Sequence, residues 1–192
     1  MKIDGTEPRT FNLRDIGVLD GSPDSVFDGI VRLAGNVVSA ERAVLLVGDD
    51  DTDTLLVRAS WGETTGELPI RTLLARNSIT SDVRRSGAVV AITGDMNAQS
   101  GLQEARAFGM RSFLAAPVHG AAGETIGALV VMRLFPRRWQ DSAKCALTDL
   151  AKSLSRDILL RASLATLRLI SEENLRLQRE RQFRSPSEQR RG

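Results

Sequence analysis

Apolar positions along the chain switch between helical and strand spacing, and this pattern predicts an ordered series of elements. Apolar side chains recur every three or four residues between 26 and 38, which indicates an amphipathic helix. Ser22 and Pro23 precede this run as a predicted N-cap and a first helical residue. Short apolar runs bounded by turn residues predict five strands, at 43–47, 54–60, 88–92, 112–118 and 125–132.

Further helices are predicted between the strands and at the end of the pattern. Residues 78–85 favour a short helix that Ser78 caps and Gly87 ends. From Asp141 onward, leucine and isoleucine recur at steps of three and four, and nothing breaks the helix before Pro186.

The order of these elements predicts an α+β fold. The five strands are expected to form a mainly antiparallel sheet with the terminal helices packed on one face. The irregular segments would cross the other face and enclose a pocket. Both sides of the last strand are apolar, so it is expected to be covered on both faces. Strict alternation places Ile126, Ala128, Val130 and Met132 on one side, and Gly127, Leu129 and Val131 on the other.

The order and the motifs resemble the GAF domain family over about residues 24–160. The matching stretches are FDGIVRLAGNVVSAERAVLLVGDD, LLVRASWG, VRRSGAVVAITGD, FGMRSFLAAPV and GETIGALVVMR. The resemblance implies a GAF-like domain at 22–160, preceded by an arm at 1–21. A signalling or coiled-coil helix at 161–183 and a disordered tail at 184–192 would follow. PAS domains share a similar architecture and are the structural alternative.

The resemblance implies a ligand pocket between the sheet and residues 61–111. Trp61 would supply an apolar wall, and Arg84 or Arg111 would face a small anion, unless Arg111 only ties a loop to Asp95. The side chains expected to face the pocket are Trp61, Thr80, Arg84, Asp95, Asn97, Arg111 and Phe113. The sequence identifies no ligand and no cofactor.

Several activities known in GAF domains lack their residues here. Sulfoxide-reducing members use pocket cysteines, but the one cysteine of this chain, Cys145, falls on the terminal helix. Thr80 and Asp82 stand where one subgroup has a cysteine and a histidine, which argues against bilin, iron or haem. The Asn-Lys pair of cyclic-nucleotide binders is missing. No acid–base pair, nucleophile triad or phosphate loop is evident, so we expect no catalytic residues, no metal site and no enzymatic activity.

Composition and charge limit the remaining classes. No apolar run approaches the roughly 20 residues of a membrane span, and the N-terminus has no signal-peptide core, so a cytoplasmic location is expected. Residues 1–135 carry 13 basic and 17 acidic side chains (−4), and residues 136–192 carry 13 and 7 (+6). The basic tail leaves nucleic-acid binding open as a weaker alternative. The acidic stretch at 49–53 reads as a solvated hairpin turn.

The terminal helix is predicted to pair with a second copy of the chain. With Leu167 at heptad position a, Ile170 is d, Asn174 is a and Leu177 is d. A single asparagine at an a position fixes register in parallel two-stranded coiled coils. The expected dimer residues are Leu160, Leu164, Leu167, Ile170, Asn174 and Leu177. A helix that packs only on its own domain is the alternative.

Together these features predict a non-enzymatic sensory or regulatory module of bacterial-type signal transduction. It would bind a small ligand, dimerise through its terminal helices and signal to a partner protein. The first alternative is a ligand-free dimerisation scaffold that presents its terminal helix to a partner. A degenerate redox enzyme is a remote one.

Overall fold

A computed structural model describes residues 13–20, 22–49, 52–62, 72–74, 76, 78–93 and 108–184. This part of the chain contains helices and strands in the order predicted above. In chain order they are α1 (Ser25–Val37), β1 (Arg42–Asp49), β2 (Thr54–Gly62), β3 (Thr72–Leu74), α2 (Ile79–Ser86), β4 (Val90–Thr93), β5 (Ser112–His119), β6 (Thr125–Arg133) and α3 (Asp141–Arg184).

The strands form one antiparallel sheet in the order β3-β2-β1-β6-β5-β4. The five predicted strands are all present, and the α+β fold with a long C-terminal helix is confirmed. The short strand β3 is an addition at the sheet edge that the apolar runs do not predict. The two hairpins, β1–β2 and β5–β6, meet in the centre of the sheet because β1 pairs with β6.

The sheet separates two apolar cores. On one side, which we call the helix face, α1 and α3 pack against alternate residues of β1, β5 and β6. On the other side, the α2 face, helix α2 packs against the intervening residues of the same strands. Residues of β1, β5 and β6 are almost completely buried along their whole length, so these central strands are covered on both faces as their apolar pattern predicts.

The start of α1 differs from the prediction. Asp24, not Ser22, is the N-cap, and its carboxylate accepts hydrogen bonds from the amides of Val26 and Phe27. Ser22 instead donates to Asp20 from its amide and its hydroxyl. A carboxylate accepts hydrogen bonds well at the positive end of a helix, so the aspartate two residues later takes the cap. The caps predicted for α2, Ser78 and a left-handed Gly87, are confirmed.

Two β-bulges change which side chains face which core. Leu45 pairs with Ala59 and Leu46 with Val57, so Arg58 is an extra residue in β2. Ile126 is likewise extra in β6, because Val118 pairs with Gly127 and His119 with Thr125. A bulge shifts the alternation by one residue. The prediction that Ile126 lies on the same side as Ala128 is therefore wrong, since Ile126 packs in the helix-face core.

Gly127 is the glycine of the apolar motif in β6, and the structure shows why this position requires a glycine. A Cβ built on it would stand 2.1 Å from the carbonyl oxygen of Leu46 and 2.9 Å from the Cα of Val47. Any side chain would therefore push β6 away from β1. The glycine permits the central pairing that holds the two hairpins together.

Helix α3 packs on the domain for only half of its length. Its fully or nearly fully buried residues are Leu147, Ala151, Leu154, Ile158 and Ala162. From residue 166 to residue 180 every side chain is exposed, although the helix continues to Arg184. The 22 residues after Ala162 extend it by about 33 Å. In the described part of the chain, no helix combines the length and apolarity needed to cross a membrane.

Candidate functional site

The α2 face carries a row of side chains that crosses four strands. Arg42 of β1 is paired with Met132 of β6, Met132 with Phe113 of β5, and Phe113 with Ile92 of β4. Phe113 and Met132 are fully buried, and Phe108 lies over the end of the row. This end of the sheet therefore has an apolar floor with one cation, Arg42, at its β1 side.

Arg42 is the most unusual residue of this face. Its side chain and backbone together are only 6% exposed, and its guanidinium carbon lies 4.8 Å from the centre of the Phe108 ring. Its Nε and Nη2 are buried and have no hydrogen-bond partner in the part of the chain that the structure describes. Burial lowers the pKa of Arg42 from its ordinary value, because an apolar surrounding disfavours the charged form.

Sequence reasoning missed Arg42, although the sequence does contain a signal. Strand β1 reads RAVLLV, and its α2-face residues are Val44 and Leu46. Arg42 occupies the next position in that alternation, so its side chain is expected to point to the same core. An arginine in phase with two fully buried residues is a departure from the apolar pattern.

Two predicted pocket residues, Thr80 and Phe113, do lie on the α2 face. Thr80 is fully buried on α2, and the neighbouring Ile79 and Val83 pack in the same apolar cluster as Phe113. Both positions thus face inward on the predicted side of the sheet. Their contact with a ligand remains a prediction.

Arg84 belongs to the opposite end of the sheet from Arg42. Its Nε donates to the carbonyl oxygen of Thr125 at 3.2 Å, and its guanidinium lies against Gly48. Gly48 is six residues from Arg42 along β1, about 20 Å at the usual rise of a strand. Arg84 therefore fastens α2 to the β5–β6 hairpin and is not brought together with Arg42.

Trp61 lies on the helix face and so does not share a face with Thr80 and Phe113. Its ring covers Gly35 of α1. The bulge at Arg58 is the physical reason. Regular alternation from Leu55 and Val57 would place Trp61 on the α2 face, and the extra residue turns it to the other side.

The remaining predicted pocket residues are not placed in a site. Arg111 is exposed, and its amide donates to the carbonyl oxygen of Arg133 at 2.8 Å. Asp95 and Asn97 lie outside the described residues. No group of three or more histidine, cysteine, aspartate and glutamate side chains suited to a metal occurs among the residues that the structure describes.

A cleft of about 420 Å³ lies away from the α2 face, between the end of α1 and the start of α3. Its basic residues are Arg133, Arg137 and Arg138. Arg133 has structural partners: it donates to the carbonyl oxygen of Val38 at 2.6 Å and stacks 4.1 Å from the centre of the Trp139 ring. Burial, and next the charge of Arg137, lower the pKa of Arg133.

The fold and this division into two faces define a GAF domain. The sequence profile of the GAF domain family matches residues 22–158, and the chain belongs to that family. No curated protein matches the chain significantly.

Solved GAF domains have the same fold at low sequence identity. The GAF domain of a phosphoenolpyruvate-protein phosphotransferase from Coxiella burnetii has a TM-score of 0.61 at 17% identity, over 80% of this chain and 94% of that one. The PixJ GAF domain of Thermosynechococcus elongatus, in its blue-light-absorbing form, has a TM-score of 0.58 at 20% identity, over 81% and 94%.

An enzyme with this fold is also similar. The free methionine-R-sulfoxide reductase from Neisseria meningitidis, solved with its substrate, has a TM-score of 0.59 at 17% identity, over 74% of this chain and 81% of that one. At these identities the likeness establishes the fold alone. Members of the GAF domain family are typically sensory and regulatory domains.

Proposed function

We propose that this chain is a non-enzymatic sensory module of signal transduction that binds a small ligand on the α2 face and signals through α3. The observation that carries the proposal is the two-sided sheet. Alternate residues of β5 and β6 contact the α2 core and the helix-face core. A ligand that reorders the α2 face therefore acts on strands that α3 contacts directly.

The contacts between β5 and α3 give this coupling a physical route. Leu114, Ala116 and Val118 of β5 point to the helix face and share its core with Leu147, Ala151 and Leu154 of α3. At the end of β5, the amide of His119 donates to Ser155 Oγ at 2.9 Å. A shift of β5 along or across the sheet would be passed to α3 at both points.

The absence of enzymatic activity is part of the proposal. Cys145, the one cysteine of the chain, is exposed on α3, which packs on the helix face. A sulfoxide reductase that worked through the α2 face would need a thiolate there. The described core of that face is apolar apart from Arg42 and the buried hydroxyls of Ser78 and Thr80.

We further propose that two copies pair through the terminal helices. The predicted dimer residues are exposed: Leu160, Leu164, Leu167, Ile170, Asn174 and Leu177. Helix α1 adds a stripe that was not predicted, Val26, Leu33 and Val37, which recur at helical spacing and are also exposed. An isolated helix is marginally stable in water, so the extension of α3 favours a partner helix. A cytoplasmic location and a partner signalling protein complete the proposal.

Native mass spectrometry of protein purified from cells, repeated on the denatured sample, tests the proposal first. The expected result is a dimer with a defined additional mass that is lost on denaturation. A bare monomer would contradict both ligand retention and pairing.

The coupling needs a second measurement, of the pose of α3. Cys145→Ser removes the natural thiol, and Gln178→Cys then places one spin label on each exposed helix. Label-to-label distances should differ between protein as purified and protein refolded after removal of the bound mass. Equal distance distributions would overturn the signalling mechanism.

A ligand-free scaffold is the second candidate, and one observation favours it. Phe113, Ala115, Ala128, Val130 and Met132 on the α2 face are fully buried, as they would be in a filled core. A bare dimer in the mass measurement would support the scaffold. It would then act only by presenting α3 to its partner.

A further inference from the structure

The unpartnered atoms of Arg42 identify a binding geometry. Nε and Nη2 together form the side-on edge of a guanidinium, two parallel N–H donors that match two oxygens of a carboxylate or a phosphate. No ion pair of Arg42 occurs in the described part of the chain. The edge that best binds an oxyanion is thus buried and without a hydrogen-bond partner among the described residues.

The surroundings of Arg42 make these two unpartnered donors unfavourable in free energy. Met132 and Phe113 next to it in the row are fully buried, and Phe108 is nearly so. Stacking on a ring compensates only part of the free energy lost when a cation leaves water. A buried guanidinium with two unsatisfied donors is therefore a group that an anion would stabilise.

Arg58 gives an internal comparison, because it is about equally buried and its two terminal nitrogens have partners, although its Nε has none among the described residues. Its Nη1 donates to the carbonyl oxygen of Ser22 at 2.6 Å, and its Nη2 donates to that of Gly17 at 3.2 Å. Asp20 and Asp24 lie 3.7 Å from it as counter-charges. Among the described residues, Arg58 thus has two hydrogen-bonded nitrogens and two counter-charges, whereas Arg42 has only its contact with the Phe108 ring.

We propose that Arg42 anchors an anionic ligand through a two-point contact between its Nε–Nη2 edge and an oxyanion, a carboxylate or a phosphate group. The apolar row of Met132, Phe113 and Ile92 would receive the uncharged part of that ligand. This proposal rests on the proposed function, because it names the chemistry of the ligand at the same face. The ligand is then a small amphipathic acid.

Arg42→Met is the decisive variant, since methionine is long, flexible and apolar and removes an unpaired buried charge. The full-length variant should fold and melt at or above the wild-type temperature in chloride. Arg42→Lys keeps a charge and loses the two-point edge. Arg156→Met, at an exposed position of α3, is the matched control.

Melting temperatures are measured at constant ionic strength as chloride is replaced by inorganic phosphate in one arm and by a straight-chain fatty acid anion, hexanoate, in the other. Wild type and Arg156→Met should be stabilised in at least one arm, which assigns the oxyanion. Arg42→Met should respond clearly less than wild type, with only the general stabilisation that phosphate gives to folded proteins. Arg42→Lys should bind at least tenfold more weakly. Equal responses of wild type and Arg42→Met, or none in either, would overturn the proposal.

Native mass spectrometry separates this failure from failure of the proposed function. A retained mass that wild type and Arg42→Met carry equally would overturn the anion contact and leave ligand binding intact. A retained mass that Arg42→Met alone loses supports both. In a third outcome, wild-type protein carries no additional mass, but phosphate or hexanoate stabilises it through Arg42. This outcome supports the anion contact and counts against ligand retention.

Discussion

At the scale of single residues, two glycines of α1 have opposite surroundings. A Cβ on Gly35 would stand 2.1 Å from the Trp61 ring, whereas a Cβ on Gly29 would meet nothing within 4 Å. Alanine favours a helix over glycine by up to about 1 kcal/mol. We expect Gly29→Ala to raise the free energy of unfolding by up to about 1 kcal/mol, and Gly35→Ala to lower it by about 1–3 kcal/mol through overpacking.

Urea unfolding of the two variants and the wild type, followed by tryptophan fluorescence, checks this pair. Both substitutions change one glycine of the same helix, so helix propensity cancels between them. The wavelength of Trp61 emission should change for Gly35→Ala only. If Gly35→Ala proved as stable as Gly29→Ala, Trp61 would not cover α1 as described.

At the scale of elements, Asp24 joins α1, β2 and α3. It caps α1, lies 2.6 Å from Nη1 of Arg161 and 3.7 Å from Nη2 of Arg58. Both guanidinium groups also lie over the Phe27 ring, at 4.5 and 5.0 Å from its centre. The contact holds α3 at the last turn before its side chains become exposed. We therefore expect Asp24 to fix the direction in which α3 leaves the domain.

Asparagine and alanine at position 24 separate the cap from the charge. Asn caps a helix about as well as Asp, so Asp24→Asn should lower the free energy of unfolding by about 1–2 kcal/mol through lost charge contacts alone. Asp24→Ala should cost about 1 kcal/mol more. Asp149→Asn, in an exposed pair with Lys152, is the control and should stay within about 0.5 kcal/mol of wild type.

The pH dependence of this effect has a definite sign. Burial acts to raise the pKa of Asp24, but the hydrogen bonds from Arg161 and Phe27 outweigh it and hold the pKa below its ordinary value of 3.8. The contribution is therefore complete at pH 7 and disappears as the pH falls through the lowered pKa. Urea unfolding at pH 7 and pH 3 should give a smaller difference between wild type and Asp24→Asn at the lower pH. A constant difference would exclude the charge as its cause.

The limits of sequence reasoning also appear at the scale of elements. Period-two alternation located the five main strands because their apolar runs are strong and bounded by turns. The same reasoning assigned Ile126 to the wrong face, because one extra residue in β6 reverses the alternation beyond it. The corresponding bulge in β2 turns Trp61 to the helix face. Bulges depend on pairing with a distant strand. The sequence of β2 or β6 alone therefore does not predict these bulges.

At the scale of the whole molecule, α3 changes its surroundings along its length. Up to Ala162 its small and branched residues pack on the sheet, and beyond it the leucines continue without a surface to cover them. The heptad pattern in the sequence predicts that this exposed half pairs with a second helix, and that pairing stays a prediction. The sequence pattern does not locate the boundary between the packed half and the exposed half of α3, because tertiary contacts set it. At this boundary Arg161 forms ion pairs with Asp24 and Asp157.

Pairing of two copies through this exposed half predicts a dimer that two charges can dissociate. Leu167 and Ile170 are 59% and 54% exposed in the single chain, so replacing both with glutamate should leave the domain's melting temperature nearly unchanged. Like charges at facing a and d positions should convert a wild-type dimer to a monomer in sedimentation equilibrium. Arg168→Glu, at a neighbouring outward position, should remain dimeric. A double variant that stayed dimeric would move the interface to the stripe of Val26, Leu33 and Val37 on α1, and a monomeric wild type would refute pairing altogether.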